Sequence, residues 1–250
     1  LFVFRLDLRL KDNIGLINCF KNSKEIIPCF IFDPKQIDPK LNSYFSNNLV
    51  QFMIESLIEL HQKTKKKLLF FHGDTEKVIK YLIKKLNLES IYVNSDYTPY
   101  SIERDSKIQK ICKSLKCEFK ESDDILLNSL EYPKKDDGTY YMTFTKYADK
   151  ARMKKPLKPN YLNIESKLIE IKEKLKFNIP LEKLKDFYEF NPNNNVEGGR
   201  KQAKLILKNI LNQKNYNEKR SLCNYKSTNL SAYIKFGLVS IREVYYTFLN

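Results

Sequence analysis

The 250-residue chain carries 45 Lys and Arg against 30 Asp and Glu, a formal net charge of +15, with 42% hydrophobic residues, 13% aromatic, five Cys, two His and no Trp. That apolar content supports a real core and excludes a disordered tail or a low-complexity linker. No apolar run approaches the ~20 residues that span a bilayer, so no membrane partner is expected.

The chain starts directly in a strand-like run, Leu1–Arg5, followed by a short helix over Asn13–Phe20 and a second buried strand, Glu25–Phe32, that ends at Asp33-Pro34. Leu49–His61 has helical spacing, with Val50, Met53, Ile54, Leu57 and Leu60 apolar. Lys67–His72 reads as a third strand and Thr75–Leu86 as a helix with Asp74 as N-cap. Ser90–Asn94 is a fourth strand, Ile102–Leu115 a helix and Cys117–Glu121 a fifth strand. Repeated β-α-β with doubly buried strands predicts an α/β unit, a Rossmann-like doubly wound parallel five-stranded sheet. Ligands of such a sheet lie beyond the carboxyl ends of its strands. No Gly occurs before Gly15 in the first strand-to-helix turn, so neither a dinucleotide fingerprint nor a P-loop is present.

From Leu130 to Asn195 the alternation breaks. Pro133, Pro156, Pro159, Pro180 and Pro192 punctuate a connector whose basic residues cluster at Lys146–Lys158, with one helix expected over Ser166–Lys176. After Asn191-Pro-Asn-Asn-Asn195 the pattern turns helical: Gly198-Gly199 precedes a helix at Arg200–Leu211, and Ser240 with Glu243 forms a capping box for another. The division is therefore 1–128 α/β, 129–190 connector, and 191–250 the first helices of an all-α domain. Leu1 lies directly in a strand and Val244–Leu249 in an unfinished apolar pattern, so both ends read as cut.

Charge and cysteine sharpen the picture. Residues 1–128 hold 21 basic and 17 acidic side chains and residues 129–250 hold 24 and 13, nets of +4 and +11. Lys-rich composition bias alone would spread the excess evenly, so an anionic partner is sought in the second half, against the alternative of a solvated surface. Cys19, Cys29, Cys112, Cys117 and Cys223 are odd in number without a C-x-x-C pair, and His61 and His72 complete no zinc-type cluster. Buried free thiols in a reducing compartment, cytoplasm or nucleus, are the expectation.

Six blocks in order then resemble the DNA photolyase/cryptochrome family. Phe4-Arg-Leu-Asp-Leu-Arg-Leu-Lys-Asp-Asn13 is similar to the family's opening, and Ile31-Phe-Asp-Pro34 to its second-strand end. Tyr97-Thr-Pro-Tyr100 with Arg104-Asp105, Phe144-Thr145, and Gly198-Gly199 with Ala203 follow. Ser227-Thr-Asn-Leu-Ser231, Tyr233-Ile-Lys-Phe-Gly237 and Ser240-Ile-Arg242 resemble its late signature.

The resemblance implies that Ser227, Thr228, Asn229, Leu230 and Ser231 hold the diphosphate of FAD, that Tyr216 contacts the flavin cofactor, and that Arg220 meets the DNA backbone. Hydroxyls, an amide and backbone N–H donors suit a diphosphate, although such residues also simply cap helices. Arg220 is followed by Ser221 where the family often has Asp, and the stretch to the cradle is one residue short. A second, antenna chromophore (pterin, deazaflavin or flavin) is implied in the α/β unit, with Asp96 and Tyr97 as candidates past the fourth strand. Asp7, Arg9, Asp12 and Asn13 read as an ion-pair and turn network, and Arg104-Asp105 as a structural pair.

The implied activity is carbon–carbon lyase chemistry: antenna light energy passes to reduced FAD, which donates an electron to a pyrimidine dimer flipped out of damaged DNA. A monomer is expected. No catalytic residue is expected within these residues, because the family's adenine contacts, flavin-facing residue and Trp chain lie further along, in keeping with the absence of Trp. The alternatives are a cryptochrome-type blue-light receptor and an inactive antenna-domain remnant of a split gene.

Overall fold

The computed structural model describes residues 1–210, 215–219, 221–225 and 227–249. Five strands, β1 (Phe2–Phe4), β2 (Pro28–Phe32), β3 (Leu69–His72), β4 (Ser90–Asn94) and β5 (Glu118–Ser122), form one parallel sheet in the order β3-β2-β1-β4-β5. The chain runs outward from β1 in one direction and returns to its other edge at β4. The topological switch, where open α/β sheets keep their ligand crevice, therefore lies at β1 and β4.

Period-two alternation divides the strand side chains between two cores. Phe2, Phe4, Phe30, Phe32, Phe70 and Tyr92 face one side, against α1 (Ile14–Asn22) and α3 (Asn47–Lys63). Val3, Cys29, Ile31, Phe71, Ile91 and Val93 face the other, against α4 (Thr75–Leu86) and α5 (Pro99–Ser114). A one-turn helix, α2 (Pro34–Ile37), follows β2. The caps match residue chemistry: Asn13, Ser46, Asp74 and Thr98 each accept a backbone N–H from the first turn of the helix they precede. The doubly wound five-stranded sheet expected from the sequence is therefore the observed one.

The helix expected at Ser166–Lys176 does not form. Ile26 N–H donates to the Lys167 carbonyl at 2.8 Å and Ile169 N–H to the Ile26 carbonyl at 3.0 Å, a parallel bridge of this segment to the chain entering β2. Lys167 Nζ donates to the carbonyls of Phe20 and Ser23, and Leu168 and Leu175 are buried. Pairing and burial outweigh a helical period that is only a weak prior. Conversely, the connector contains a helix that the periodicity did not reveal, α6 (Phe144–Arg152).

The later elements are α7 (Arg200–Lys208), α8 (Tyr216–Lys219), α9 (Leu230–Lys235) and α10 (Ile241–Leu249); Leu211, the expected last residue of the first of these, lies outside the described residues. Ala203, Leu207, Leu230, Tyr233, Phe236, Leu238 and Val244 join the core on the α1/α3 side of the sheet. Ring contacts of Phe52 with Tyr233 at 5.1 Å and with Phe236 at 5.4 Å weld α9 to α3. Among the described residues no helix is long and apolar enough to cross a membrane.

Candidate functional site

The loop after β1 is a buried polar knot. Asp7 accepts from the Arg5 N–H at 2.6 Å and, through its other oxygen, from the amides of Asn94 at 2.5 Å and Asn13 at 3.1 Å. Arg9, 2% exposed, pairs with Asp124 and donates to the carbonyls of Gly237 and Asp12. Arg242 of α10 reaches in from the other side: Nε donates to Asp12 at 2.9 Å, and Nη2 to Asp124 and to the Asp12 carbonyl, both at 2.8 Å. Ser240 donates to Asp12 as well. The network expected of Asp7, Arg9, Asp12 and Asn13 is thus present. Its other half, Asn94, Asp124, Ser240 and Arg242, is distant in sequence, and nothing local signals that these residues meet the first loop.

Burial and charge set the protonation of this knot. Burial raises the Asp7 carboxyl above its ordinary value, and the nearby Asp124 charge adds to the rise. Burial alone would also raise Asp124, but Arg9 and Arg242 together hold it below the usual range. The capping box at the start of α10 forms as expected, Glu243 N–H donating to Ser240 Oγ at 2.9 Å and Ser240 N–H to Glu243 at 3.0 Å. Arg200 adds two hydrogen bonds to the same carboxylate, at 2.9 and 2.6 Å. Burial alone would raise Glu243, and Arg200 reverses the sign.

Beyond the carboxyl ends of β1, β2 and β4 lies a cavity of about 290 Å³. Phe4, Phe30, Phe32 and Tyr100 provide aromatic wall, and Gln36, Asp96, Ser101 and Arg104 polar groups; Lys235 and Phe236 close it from the helical side. Its cationic flank is rigid. Asp105 accepts a two-pronged bond from Arg5 at 2.8 and 2.7 Å and a further bond from Arg104 Nε at 2.9 Å. The expected Arg104-Asp105 pair is therefore a triad that includes Arg5. Burial, with Asp33 nearby, raises the Tyr100 hydroxyl to about 12, so it stays a neutral donor. Asp96 lines the cavity and accepts from Ser101 Oγ at 2.9 Å. Tyr97 does not line it; its hydroxyl donates to Asp123 at 2.7 Å.

The Ser227–Ser231 loop leads into α9. Asn229 adopts a left-handed backbone, φ 52°, and makes no side-chain cap bond. Thr228 Oγ1 accepts the Leu230 N–H at 3.2 Å, and Leu230 is a buried anchor. The side chains of Ser227, Asn229 and Ser231 are exposed and make no hydrogen bond among the described residues. Helix capping therefore occupies only Thr228 and leaves two hydroxyls and an amide facing outward, a donor set that fits a diphosphate. Tyr216 is half exposed on α8, its ring centroid 6.4 Å from that of Tyr225. Arg220 lies outside the described residues.

The fold and its crevice define a doubly wound parallel α/β protein with a helical extension packed on one face. Residues 1–162 match the DNA photolyase family, and the chain belongs to that family. It is 29% identical over 144 residues to a deoxyribodipyrimidine photo-lyase of Synechococcus, covering 58% of this chain and 30% of that protein. It is 32% identical over 123 residues to Cryptochrome-1 of Anopheles gambiae, covering 45% of this chain and 22% of that protein.

Among solved structures, an archaeal photolyase from Sulfolobus tokodaii, described with two FAD molecules that imply a novel light-harvesting cofactor, superposes with a TM-score of 0.84 at 33% identity. The match covers 98% of this chain and 54% of that one. A Synechocystis cryptochrome gives 0.84 at 22% identity, over 98% of this chain and 54% of that one, a likeness of fold. The chain thus spans about half the length of these solved relatives and under a third of the curated ones.

Proposed function

We propose that the chain is the amino-terminal part of a light-driven DNA-repair flavoprotein, residues 1–128 housing an antenna chromophore, 129–190 connecting, and 191–250 beginning the FAD-binding helices. Ser227, Thr228, Asn229, Leu230 and Ser231 cradle the FAD diphosphate, Tyr216 contacts the flavin, and Arg220 meets the backbone of damaged DNA. Reduced FAD, when bound, supplies the photoexcited electron that splits a pyrimidine dimer. The residues of this chain bind, orient and exclude water. An antenna chromophore (pterin, deazaflavin or flavin) occupies the cavity between Phe4, Phe32 and Tyr100 with Asp96 at its edge, while Tyr97 braces the adjoining loop against Asp123.

The observation that carries this reading is the position of α9. The candidate cradle opens this six-residue helix, and Lys235 and Phe236 at its far end line the candidate antenna cavity. Two light-coupled groups on one short element would sit at a fixed separation. The two FAD molecules of the Sulfolobus relative, 33% identical over nearly this whole chain, support it.

Fluorescence titration with a flavin, a deazaflavin and a pterin tests the cavity. One of them quenches the tyrosine emission saturably, and Gln36→Phe, a bulkier side chain without strong emission of its own at an exposed position of the mouth, abolishes the effect; quenching by none refutes the antenna assignment. The purified chain is expected not to retain FAD stoichiometrically at the cradle, since Ser227–Ser231 and Tyr216 are the whole of the contact proposed for it; a stable bound flavin band that persists when the antenna cavity is blocked at Gln36 contradicts this. A cryptochrome-type receptor is the second reading, favoured by the 32% identity to the Anopheles protein. Illumination of the FAD-loaded complete protein with dimer-bearing oligothymidylate separates the two, recovery of thymine absorbance marking repair.

A further inference from the structure

The largest cavity among those described does not belong to either candidate cofactor site. It measures about 500 Å³, within the about 300–1,000 Å³ of ligand clefts, and lies between the segment after β5, α6 and α10. Its lining is aromatic: Tyr132, Tyr140, Phe144, Tyr147 and Tyr245. Phe144 is 79% exposed, so its ring is offered to solvent rather than packed.

The cavity's edge is cationic. Residues 146–158 contain six Lys and Arg and one Asp. Three nearby carboxylates are already paired, Glu131 with Lys134, Asp136 with Lys150 and Asp149 with Arg152. Lys146, Lys154, Lys155 and Lys158 are exposed and have no carboxylate partner among the described residues. Lys154 Nζ sits 5.2 Å from the Tyr132 ring centroid and Lys134 Nζ 5.1 Å from that of Tyr140, so cations and rings interleave.

We propose that this connector cavity binds single-stranded nucleic acid, with unstacked bases on Phe144, Tyr140 and Tyr147 and the phosphates along Lys146–Lys158. Interleaved rings and unpaired lysines are the two components of a sequence-tolerant single-strand site: every base has a π-face, and the backbone needs cations rather than hydrogen-bond readout. An apolar protein partner would satisfy the rings but leave the lysines uncompensated. The site reads an undamaged strand and does not depend on FAD or on repair.

Fluorescence anisotropy of a labelled oligothymidylate with the full chain tests the proposal. Phe144→Ala with Tyr147→Ala weakens binding about five- to 150-fold for each base stacked. Folding is controlled by unchanged circular dichroism, which the exposure of Phe144 favours. Lys154→Gln with Lys155→Gln leaves stacking in place and flattens the salt dependence; each phosphate contact contributes a slope of about −0.7 in the log–log plot, so the pair removes about 1.4. Wild-type affinity in the aromatic variant overturns the proposal. So does self-association through this face, if light scattering shows a dimer that the aromatic variant abolishes. Because the probe carries no dimer and the protein no flavin, failure here is distinct from failure of the repair or antenna reading.

Discussion

Arg242→Ala removes the one side chain by which α10 grips the α/β unit through charge. The guanidinium makes four hydrogen bonds, to Asp12 Oδ2 at 2.9 Å, the Asp12 carbonyl at 2.8 Å, Asp124 Oδ1 at 2.8 Å and the Asp124 carbonyl at 3.2 Å, and is 4% exposed. Breaking a buried pair from one side costs about 3–5 kcal/mol, because a charge is left without its partner. Here both carboxylates keep other partners: Arg9 and the Ile14 N–H for Asp124, and Ser240 and the Asn160 N–H for Asp12. The expected loss is therefore near the lower end, about 3 kcal/mol. Set against a typical total of 5–15 kcal/mol, this is readily measured.

Urea denaturation followed by circular dichroism gives the value, with a midpoint shift of about 1–3 M at ordinary slopes. Arg242→Lys keeps the charge but not the fork and should still lose stability. Combining Arg242→Ala with Asp124→Asn should cost less than the sum of the single changes, since the stranded charge is then gone. A loss below about 1 kcal/mol, or strict additivity in the double variant, refutes the reasoning.

Three further outcomes follow from the same geometry. Asp124 and Glu243 are held below their ordinary values, so the stability they contribute is present above the unfolded values and is lost as pH falls through the folded ones. Asp7, raised by burial, acts in the opposite sense, its penalty relieved as it protonates. Asp124→Asn isolates the first of these: the loss of denaturation midpoint on acidification should be smaller in that variant than in the wild type, and an equal loss contradicts it. Gly237→Ala forces a side chain onto a left-handed backbone, φ 60°, and drives its Cβ into the Leu6 carbonyl and to 2.6 Å from Asp7 Cα. About 1–2 kcal/mol for the backbone and a further ~1–3 for overpacking should appear as a lower melting temperature. Of five thiols only Cys223 is exposed, and burial raises Cys29 to about 12. A thiol-specific disulfide reagent should label one cysteine quickly in the native protein and five in denaturant; rapid labelling of more than one opposes this packing.

Residues near one another in sequence were the legible part. Strand alternation, helix periodicity and caps such as Asp74 and Ser240 act over two to four residues, and they yielded the five strands and the main helices of the α/β unit. The loop of Ser227–Ser231 was recognisable because its hydroxyls and amide are contiguous. The same local reading erred at Ser166–Lys176, where a helical period was present but Ile26 claimed the backbone for a bridge. It passed over Phe144–Arg152, whose apolar face is short because much of it is exposed.

Chain chemistry alone determined that an α/β sheet would form, that it would be parallel, and that its first turn holds no glycine cradle, since these depend on side-chain period and composition. Tertiary structure alone decided which distant groups met. Arg5 found Asp105 one hundred residues away, and Arg9 and Arg242 shared Asp124 across gaps of 115 and 118 residues. α9 came to lie with one end at the candidate cradle and the other on the sheet's crevice. A buried ion needs a counter-ion in space, not in sequence, and the strand order that brings one to it is written in no local pattern.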